Sequence, residues 1–254
     1  MLWNTIRDTF AQQGTLLYNG RNQVKLMRLD LGDTAPTEVV VKRFMCRNIF
    51  QRIAYTFFSH SKARKAYDNA MRLIKLGINT PHPYAYVEYK SSLLLKECYY
   101  ISGVDTGRDL AELLPVHGNA PYSVALADAF GAFVAQLHHQ GIIHHDLNST
   151  NVRFHTNDNE HYTFSLIDIN RMRFYPANSI PLYARLENLT RFTGRCDITR
   201  YVANAYAKAY GEDPEHFTQL ASRVKQRHDR RWRRRKAITH PIRTLREATN
   251  RDLK

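Results

Sequence analysis

Cysteine is scarce in this chain, with three residues among 254, at Cys46, Cys98 and Cys196. They are isolated and odd in number, which argues against both a disulfide framework and a zinc site. This usage fits a reducing compartment, so the composition predicts a cytoplasmic protein.

Long apolar runs are also missing, since no stretch approaches the ~20 residues that a membrane-spanning helix needs. The most apolar helical stretch, residues 124–137, is short and contains Asp128 and Gln136. The first residues lack a long apolar segment after a basic start, so no secretory signal is expected. Hydrophobic residues still make up 43% of the chain, which predicts a packed core.

Acidic residues are few at the carboxyl-terminal end. From Arg223 onward there are 13 Lys or Arg and three Asp or Glu, a net charge of +10 out of +14 for the whole chain. We therefore predict a basic helix or tail over residues 223–254 that is attracted to anionic partners. A peripheral contact with an anionic membrane surface is favoured, nucleic acid is an alternative, and a solvated helix end is the plainest interpretation.

The first hundred residues have the pattern of a small antiparallel β-sheet. Asn19-Gly20 between two strand-like segments indicates a tight hairpin, and three further strands are predicted downstream. Apolar residues at three- and four-residue spacing predict one long helix over residues 61–76. The pattern after Asp109 is mainly helical. We therefore predict an α+β chain of two lobes, residues 1–102 and 103–222, with a hinge near Ser102.

The most informative motif lies between residues 144 and 168. Asp146 stands two residues after His144, Asn151 follows Asp146 by five, and Asp168 ends the apolar run 164–167. This order is typical of phosphoryl-transfer sites, where the first Asp orients the attacking hydroxyl and the Asn and second Asp bind Mg²⁺. A non-catalytic turn that is stabilised by Asp and Asn side chains would show the same sequence pattern. The apolar helix before the motif and the strand before Asp168 favour the catalytic interpretation.

Lys42 ends the β-branched run 39–41, a position from which a lysine can reach the α- and β-phosphates of ATP. A strand-end lysine in solvent has the same pattern, so the prediction needs a carboxylate that orients the ammonium group. Asp68 on the predicted helix is the candidate, and Glu88 and Glu97 are the fallback partners.

A glycine-rich phosphate loop is lacking, because the turn 18–22 contains Gly20 alone. Backbone amides of a tight turn can still contact phosphate oxygens, so Gly20, Arg21 and Asn22 are the expected phosphate-binding residues. Ser102, at the hinge, is the remaining residue predicted to bind the nucleotide.

With these residues in place, the chain resembles the bacterial lipopolysaccharide core kinases that phosphorylate Kdo or heptose, within the protein-kinase-like superfamily. The resemblance runs from Gly14 to Tyr210. The motifs that carry it are Gly14–Asn22, Val41-Lys42-Arg43-Phe44, Ser61-Lys62-Ala63, the segment from Leu76 to Pro83, the segment from His144 to Asn151, and Leu166-Ile167-Asp168-Ile169-Asn170-Arg171. The Gly-x-x-x-Pro-x-Pro turn and the Ile-Asp-x-x-Arg ending are more typical of this branch than of regulated eukaryotic protein kinases.

The resemblance implies a protein-kinase-like fold, ATP and Mg²⁺ as cofactors, and an anionic glycolipid or sugar as acceptor. It implies that Lys42 binds phosphates, that Asp146 is the catalytic base, and that Asn151 and Asp168 bind metal. The chain departs from the pattern at His145, where Arg is more usual, and at Asp68, where Glu is expected. Two alternatives stay open: an atypical RIO-like protein kinase whose tail contacts RNA, and a pseudokinase that binds nucleotide without turnover.

Overall fold

A computed structural model describes residues 2–32, 35–158 and 161–249, which form a β-lobe followed by a mainly helical lobe. Residues 250–254 of the predicted tail lie outside the described part. The β-lobe contains a five-stranded antiparallel sheet in the order β1-β2-β3-β5-β4. Its strands are β1 (Thr15–Asn19), β2 (Gln23–Leu29), β3 (Thr37–Met45), β4 (Pro83–Ser91) and β5 (Leu94–Gly103). The predicted sheet and hairpin are therefore present.

The predicted long helix is α3 (Lys62–Lys75), between β3 and β4. Ser61 caps its start by accepting a hydrogen bond from the backbone N–H of Arg64 at 3.1 Å. The face of α3 that packs inward consists of Ala63, Ala66, Ala70 and Leu73. Because alanine is small, this face lets the helix lie close to the sheet.

Two helical segments of the β-lobe were not predicted from the sequence. Helix α1 (Leu2–Gln12) buries Ile6 and Phe10 in a second core on one face of the sheet. A short helix α2 (Ile49–Ile53) continues into a π-helical turn over Ala54–Phe58, and neither of these contains a buried residue.

The helical lobe is built on α4 (Val124–His139), which packs against α6 (Cys196–Tyr210). Gly131 makes this close approach possible, because a Cβ there would lie 2.8 Å from the backbone nitrogen of Tyr206. The short elements that complete the lobe are β6 (Arg108–Asp109), β7 (Ile142–His144), β8 (Val152–His155), β9 (Thr163–Leu166), β10 (Met172–Phe174) and α5 (Leu182–Asn188). The mainly helical pattern predicted after Asp109 begins with a single 3₁₀ turn, Leu110–Glu112.

Helix α7 (Pro214–Thr249) joins the helical lobe to the basic segment without a break. The predicted boundary at residue 222 falls inside it, and Val224 and Lys225 are buried. Lys225 donates hydrogen bonds to the carbonyls of Thr190 and Thr193 at 3.2 and 2.7 Å. The first turns beyond residue 222 are therefore part of the lobe. In the described part of the chain, no helix is long and apolar enough to cross a membrane.

Candidate active site

The loop that carries Asp146 is held by a buried histidine. His144 ends β7 and accepts a hydrogen bond at Nδ1 from the backbone N–H of Asp146 at 3.2 Å. Its Nε2 lies 3.0 Å from the carbonyl oxygen of Ile167. Burial lowers the pKa of His144, so its imidazole is neutral at pH 7. The proton must then be on Nε2, which donates to Ile167 and ties the Asp146 loop to the end of β9.

A second layer of buried polar groups supports this histidine. Asn188 donates from Nδ2 to the carbonyl of His144 at 2.8 Å, and its Oδ1 lies 3.0 Å from Nε2 of His138. The other ring nitrogen of His138 lies 2.9 Å from the hydroxyl of Tyr206. Burial lowers the pKa of His138 to about 4. No sequence signal identified this set, because its members come from α4, α5 and α6, which are distant in the sequence.

Asn151 and Asp168 lie on the same loop system as Asp146. The side chain of Asn151 donates from Nδ2 to the carbonyl of Asp146 at 2.8 Å. The backbone carbonyl of Asn151 accepts a hydrogen bond from the N–H of Ile167 at 3.0 Å. Asp168 follows β9 in a left-handed conformation, with φ of 55°. Its Oδ1 accepts a hydrogen bond from Asn170 at 2.6 Å. The structure thus brings the three predicted polar residues of the helical lobe to one edge of the cleft.

Lys42 reaches across the cleft and contacts Asp168, with 2.5 Å between Nζ and Oδ1. This ion pair joins the β-lobe to the helical lobe. It also places Lys42 beside a predicted metal ligand, and not beside a carboxylate of α3.

The partner predicted for Lys42 lies elsewhere. Asp68 is half exposed, and its Oδ2 lies 3.5 Å from Nδ1 of His60 and 3.7 Å from Nε of Arg64. The reason is helical geometry: the inward face of α3 is apolar, and Asp68 lies on another side of the helix. Among the described residues, no carboxylate of α3 is within ion-pair distance of Lys42.

The fallback partners do not replace Asp68. Glu97 is buried and pairs with Arg7 and Arg43, at 2.9 and 2.5 Å. Adjacent strand residues point to opposite faces of a sheet, so Arg43 and its partner lie on the face opposite Lys42. Glu88 lies on β4, opposite Cys98 of β5.

The predicted phosphate-binding residues lie at the β1–β2 turn. Gly20 is packed so closely under the Tyr18 ring that a Cβ would overlap it. A cavity of about 180 Å³ beside this turn is lined by Gly20, Arg21, Asn22, Gln23, Arg43, Met45 and Arg47. Because Arg43 and Met45 alternate with Lys42 along β3, this cavity opens on the face away from Lys42. Phosphate binding by the turn therefore stays a prediction.

Ser102, also predicted to bind nucleotide, is buried near the end of β5. It lies opposite Val40 of β3 and Pro83 of β4. Nucleotide binding by Ser102 stays a prediction.

A second cavity, of about 550 Å³, opens between the lobes beside Asp146. Its lining residues are Lys65, Asn69, His145, Asn170, Arg171 and Met172. Nη1 of Arg171 lies 3.9 Å from Oδ2 of Asp146. The pKa of His145 is lowered by partial burial and by Arg191 and Arg173. The cavity is thus lined by two cationic side chains, Lys65 and Arg171, and Arg171 lies beside the predicted catalytic carboxylate.

The oxygen donors at this edge are compatible with magnesium. Mg²⁺ in nucleotide-dependent enzymes is bound by one or two oxygen-donor side chains and by the phosphates, and not by an all-protein cage. Asp168 supplies a carboxylate, and Asn151 retains its Oδ1 because its Nδ2 is bonded to Asp146. Within residues 2–32, 35–158 and 161–249, no group of three or more His, Cys, Asp or Glu could hold a metal.

The chain is similar in sequence pattern to one protein family and in fold to known structures. The model of the lipopolysaccharide kinase (Kdo/WaaP) family matches residues 17–210. Among solved structures, the chain is similar to WaaP in complex with acyl carrier protein, at 18% identity and a TM-score of 0.61, with 91% of this chain and 93% of that chain covered. A PknI kinase domain from Mycobacterium tuberculosis matches at 15% identity and a TM-score of 0.46, over 83% and 93%. No curated protein matches.

Proposed function

The chain belongs to the lipopolysaccharide kinase (Kdo/WaaP) family and is a kinase, and we propose that it transfers the γ-phosphate of ATP to a sugar hydroxyl of the lipopolysaccharide inner core. The acceptor sugar is Kdo or heptose, and the reaction takes place at the cytoplasmic face of the membrane. The observation that carries the proposal is the position of Asp146, whose carboxylate lies 3.9 Å from Arg171 in the lining of the cavity and whose loop is held by His144 and Asn151.

Each residue at the cleft has a role that its contacts support. Asp146 orients the acceptor hydroxyl and accepts its proton as the oxygen attacks phosphorus in line with the leaving group. Lys42 holds the α- and β-phosphates, and its movement toward them releases Asp168 from their ion pair. Asn151 and Asp168 would hold Mg²⁺, which when bound neutralises charge on the phosphates. The turn at Gly20, Arg21 and Asn22 and the side chain of Ser102 are proposed to complete the nucleotide site.

The test of this proposal is phosphate transfer from radiolabelled ATP to lipopolysaccharide core, to a protein mixture and to water. We expect label in the glycolipid with the wild-type chain, and a rate reduced by ~10² to 10⁴ in Asp146→Asn, the range typical of a lost general base. The exposed Asp30→Asn variant is the matched control and should keep the wild-type rate. Label that enters protein and not glycolipid would identify a protein kinase and contradict the proposal.

The cavity beside Asp146 is proposed to hold an anionic group of the acceptor, because Lys65 and Arg171 line it. Arg171→Gln should then raise the KM for the glycolipid and leave the KM for ATP within a factor of two. An equal rise in both KM values would place Arg171 in the nucleotide site.

The basic part of α7 is proposed to contact the anionic membrane surface. Arg230, Arg231, Arg233 and Arg234 are exposed on this helix, and each basic residue near such a surface contributes about 1 kcal/mol at physiological salt. Changing these four residues to Gln should weaken binding to anionic vesicles at 0.1 M NaCl and keep the helix. Truncation at Ser222 is a poorer test, because it removes the buried Val224 and Lys225. Unchanged vesicle binding would contradict this role.

A further inference from the structure

The segment that contains α2 and the π-helical turn has its apolar side chains on the outside. Phe50 is 79% exposed, Phe58 is 82% exposed, and Leu93 in the neighbouring β4–β5 turn is 84% exposed. We use the name apolar ridge for the exposed side chains of Ile49, Phe50, Ile53, Phe57, Phe58 and Leu93. A contiguous exposed apolar surface of this kind on a folded domain marks an interaction site.

The segment that carries the apolar ridge is attached to the sheet by polar residues that lie between the ridge residues. Arg52 donates hydrogen bonds to the carbonyls of Ser91 and Leu95, at 2.7 and 3.2 Å. The hydroxyl of Thr56 accepts one from the N–H of Leu95 at 2.9 Å. A surface helix ordinarily buries its apolar side and exposes its polar side. In the segment 49–58 the polar residues contact the sheet and the aromatic rings are exposed to water. The packing of the lobe therefore gives no reason for the exposed position of these rings.

The surroundings of the ridge are strongly basic. Between Phe44 and Asp68 the sequence contains five Lys or Arg and no Asp or Glu. Arg47 and Arg64, on either side of the ridge, are exposed. The pKa of Lys62 is lowered, first by partial burial and then by the nearby charges of Arg21 and Arg171, which indicates an excess of positive charge at this corner.

We infer that the apolar ridge inserts into the interfacial region of an anionic lipid bilayer and holds the β-lobe against it. The combination of protruding aromatic and aliphatic side chains with flanking Lys and Arg is the one that binds such surfaces. Phe50, Phe58 and Leu93 project from the surface of the lobe, since each is about four-fifths exposed, so they can enter a bilayer without a change in the fold.

The position of the ridge gives this contact a consequence for the site. Nζ of Lys65 lies 5.7 Å from the centre of the Tyr55 ring, within the π-helical turn. Lys65 also lines the cavity beside Asp146. Insertion of the ridge therefore brings the mouth of that cavity close to the lipid headgroups. The inference goes beyond the proposed function, because it specifies a membrane contact that does not depend on which acceptor is phosphorylated.

The first test is binding of the full-length chain to vesicles of phosphatidylglycerol and phosphatidylethanolamine that contain no lipopolysaccharide. Phe50→Ser combined with Phe58→Ser should weaken binding at least tenfold at 0.1 M NaCl. The reduction should persist at 0.5 M NaCl, because burial of apolar surface is not screened by salt, whereas attraction by the α7 arginines is. The control is Val124→Ser combined with Tyr183→Ser, two half-exposed residues of the helical lobe. Binding of the ridge variant equal to that of the control would overturn the inference.

The second test detects insertion directly and does not depend on a loss of binding. With Trp3 and Trp232 changed to Phe, Phe58→Trp gives one fluorescent reporter in the ridge. Its emission should shift to the blue on addition of anionic vesicles and be quenched by brominated lipids. An unshifted, unquenched reporter on vesicle-bound protein would overturn the inference.

A protein partner would be recognised by a different outcome. If the Ser variants kept vesicle binding and lost binding to an acidic acyl carrier protein, the ridge would be a protein-docking surface and the bilayer inference would be wrong. Because these assays contain no sugar acceptor, they can fail while the proposed kinase reaction holds, and the reverse is also true.

Discussion

The two sides of the cleft are held by different kinds of contact. In the helical lobe, Asp146 and Asn151 belong to a loop whose Asp146 N–H donates to the buried His144, and Asn188 in turn donates to the carbonyl of His144. In the β-lobe, Lys42 has one partly exposed partner, Asp168, and α3 presents alanine toward the sheet where an orienting carboxylate was predicted. A group that must transfer a proton needs a fixed position. A lysine that binds phosphates can exchange one anionic partner for another, so a partly exposed ion pair suits nucleotide entry.

The strongest way to break the rigid side is Asn188→Ala, which leaves a ring nitrogen of His138 without its partner. It also removes one hydrogen bond to the carbonyl of His144, which keeps the one from the N–H of Leu147. A buried group that loses its partner costs about 1–3 kcal/mol, so the free energy of unfolding should fall by about that amount. Urea denaturation measures it. The matched control is the exposed pair of Asn178 and His139. Because Asn178 has φ of 57°, Asn178→Gly is the suitable change, with an expected loss below about 1 kcal/mol. Equal losses in both variants would contradict the comparison.

The rigid side should also respond to acid. The pKa of His138 falls from 6.5 to about 4 on burial. Above pH 6.5 neither state binds the proton, and the folded state has its full stability. As the pH falls from 6.5 to 4, the unfolded state takes up a proton that the folded state excludes, so stability decreases by up to about 1.4 kcal/mol per pH unit. Denaturation at pH 5 and pH 7 should show a smaller difference for His138→Gln than for the wild type. The same slope in both would exclude His138 as the source.

The β-lobe side of the cleft is tested by Lys42→Met. Loss of a charge-assisted hydrogen bond to phosphate is expected to reduce kcat/KM for ATP by ~10- to 100-fold. The free energy of unfolding should change little, because the Lys42–Asp168 pair is partly exposed. A large loss of stability with a small kinetic effect would show that Lys42 is structural. Kinetics with ATP varied, together with a denaturation curve, separates the two outcomes.

The smallest effect is expected from Asp68→Ala. Asp68 interacts with His60 and Arg64 on an exposed side of α3, away from Lys42. Its removal should change kcat/KM for ATP by less than about threefold, in line with the small value of exposed ion pairs. A reduction as large as that of Lys42→Met would mean that α3 rotates and brings Asp68 to the lysine when nucleotide binds.

The described structure contains the predicted sheet, long helix and helical lobe, and the family and fold predictions are confirmed. The Asn19-Gly20 hairpin and the alanine stripe of α3 were readable because their signals are local periodicities and turn residues. Helix α1 and the segment 49–58 were not predicted. The second of these carries its apolar residues on the outer side, so a rule that assigns apolar residues to the core gives no help there.

The sequence by itself determined the order and spacing of Asp146, Asn151 and Asp168, because these residues lie on one loop and at the two ends of the β8–β9 hairpin that follows it. It also determined the charge of the carboxyl-terminal segment, which is a sum over residues. Only the tertiary structure decided which carboxylate meets Lys42, which groups support His144, and which face of residues 49–58 meets solvent. Those outcomes depend on the rotation of helices about their axes and on contacts between residues distant in the sequence, and neither is encoded in the spacing of a motif.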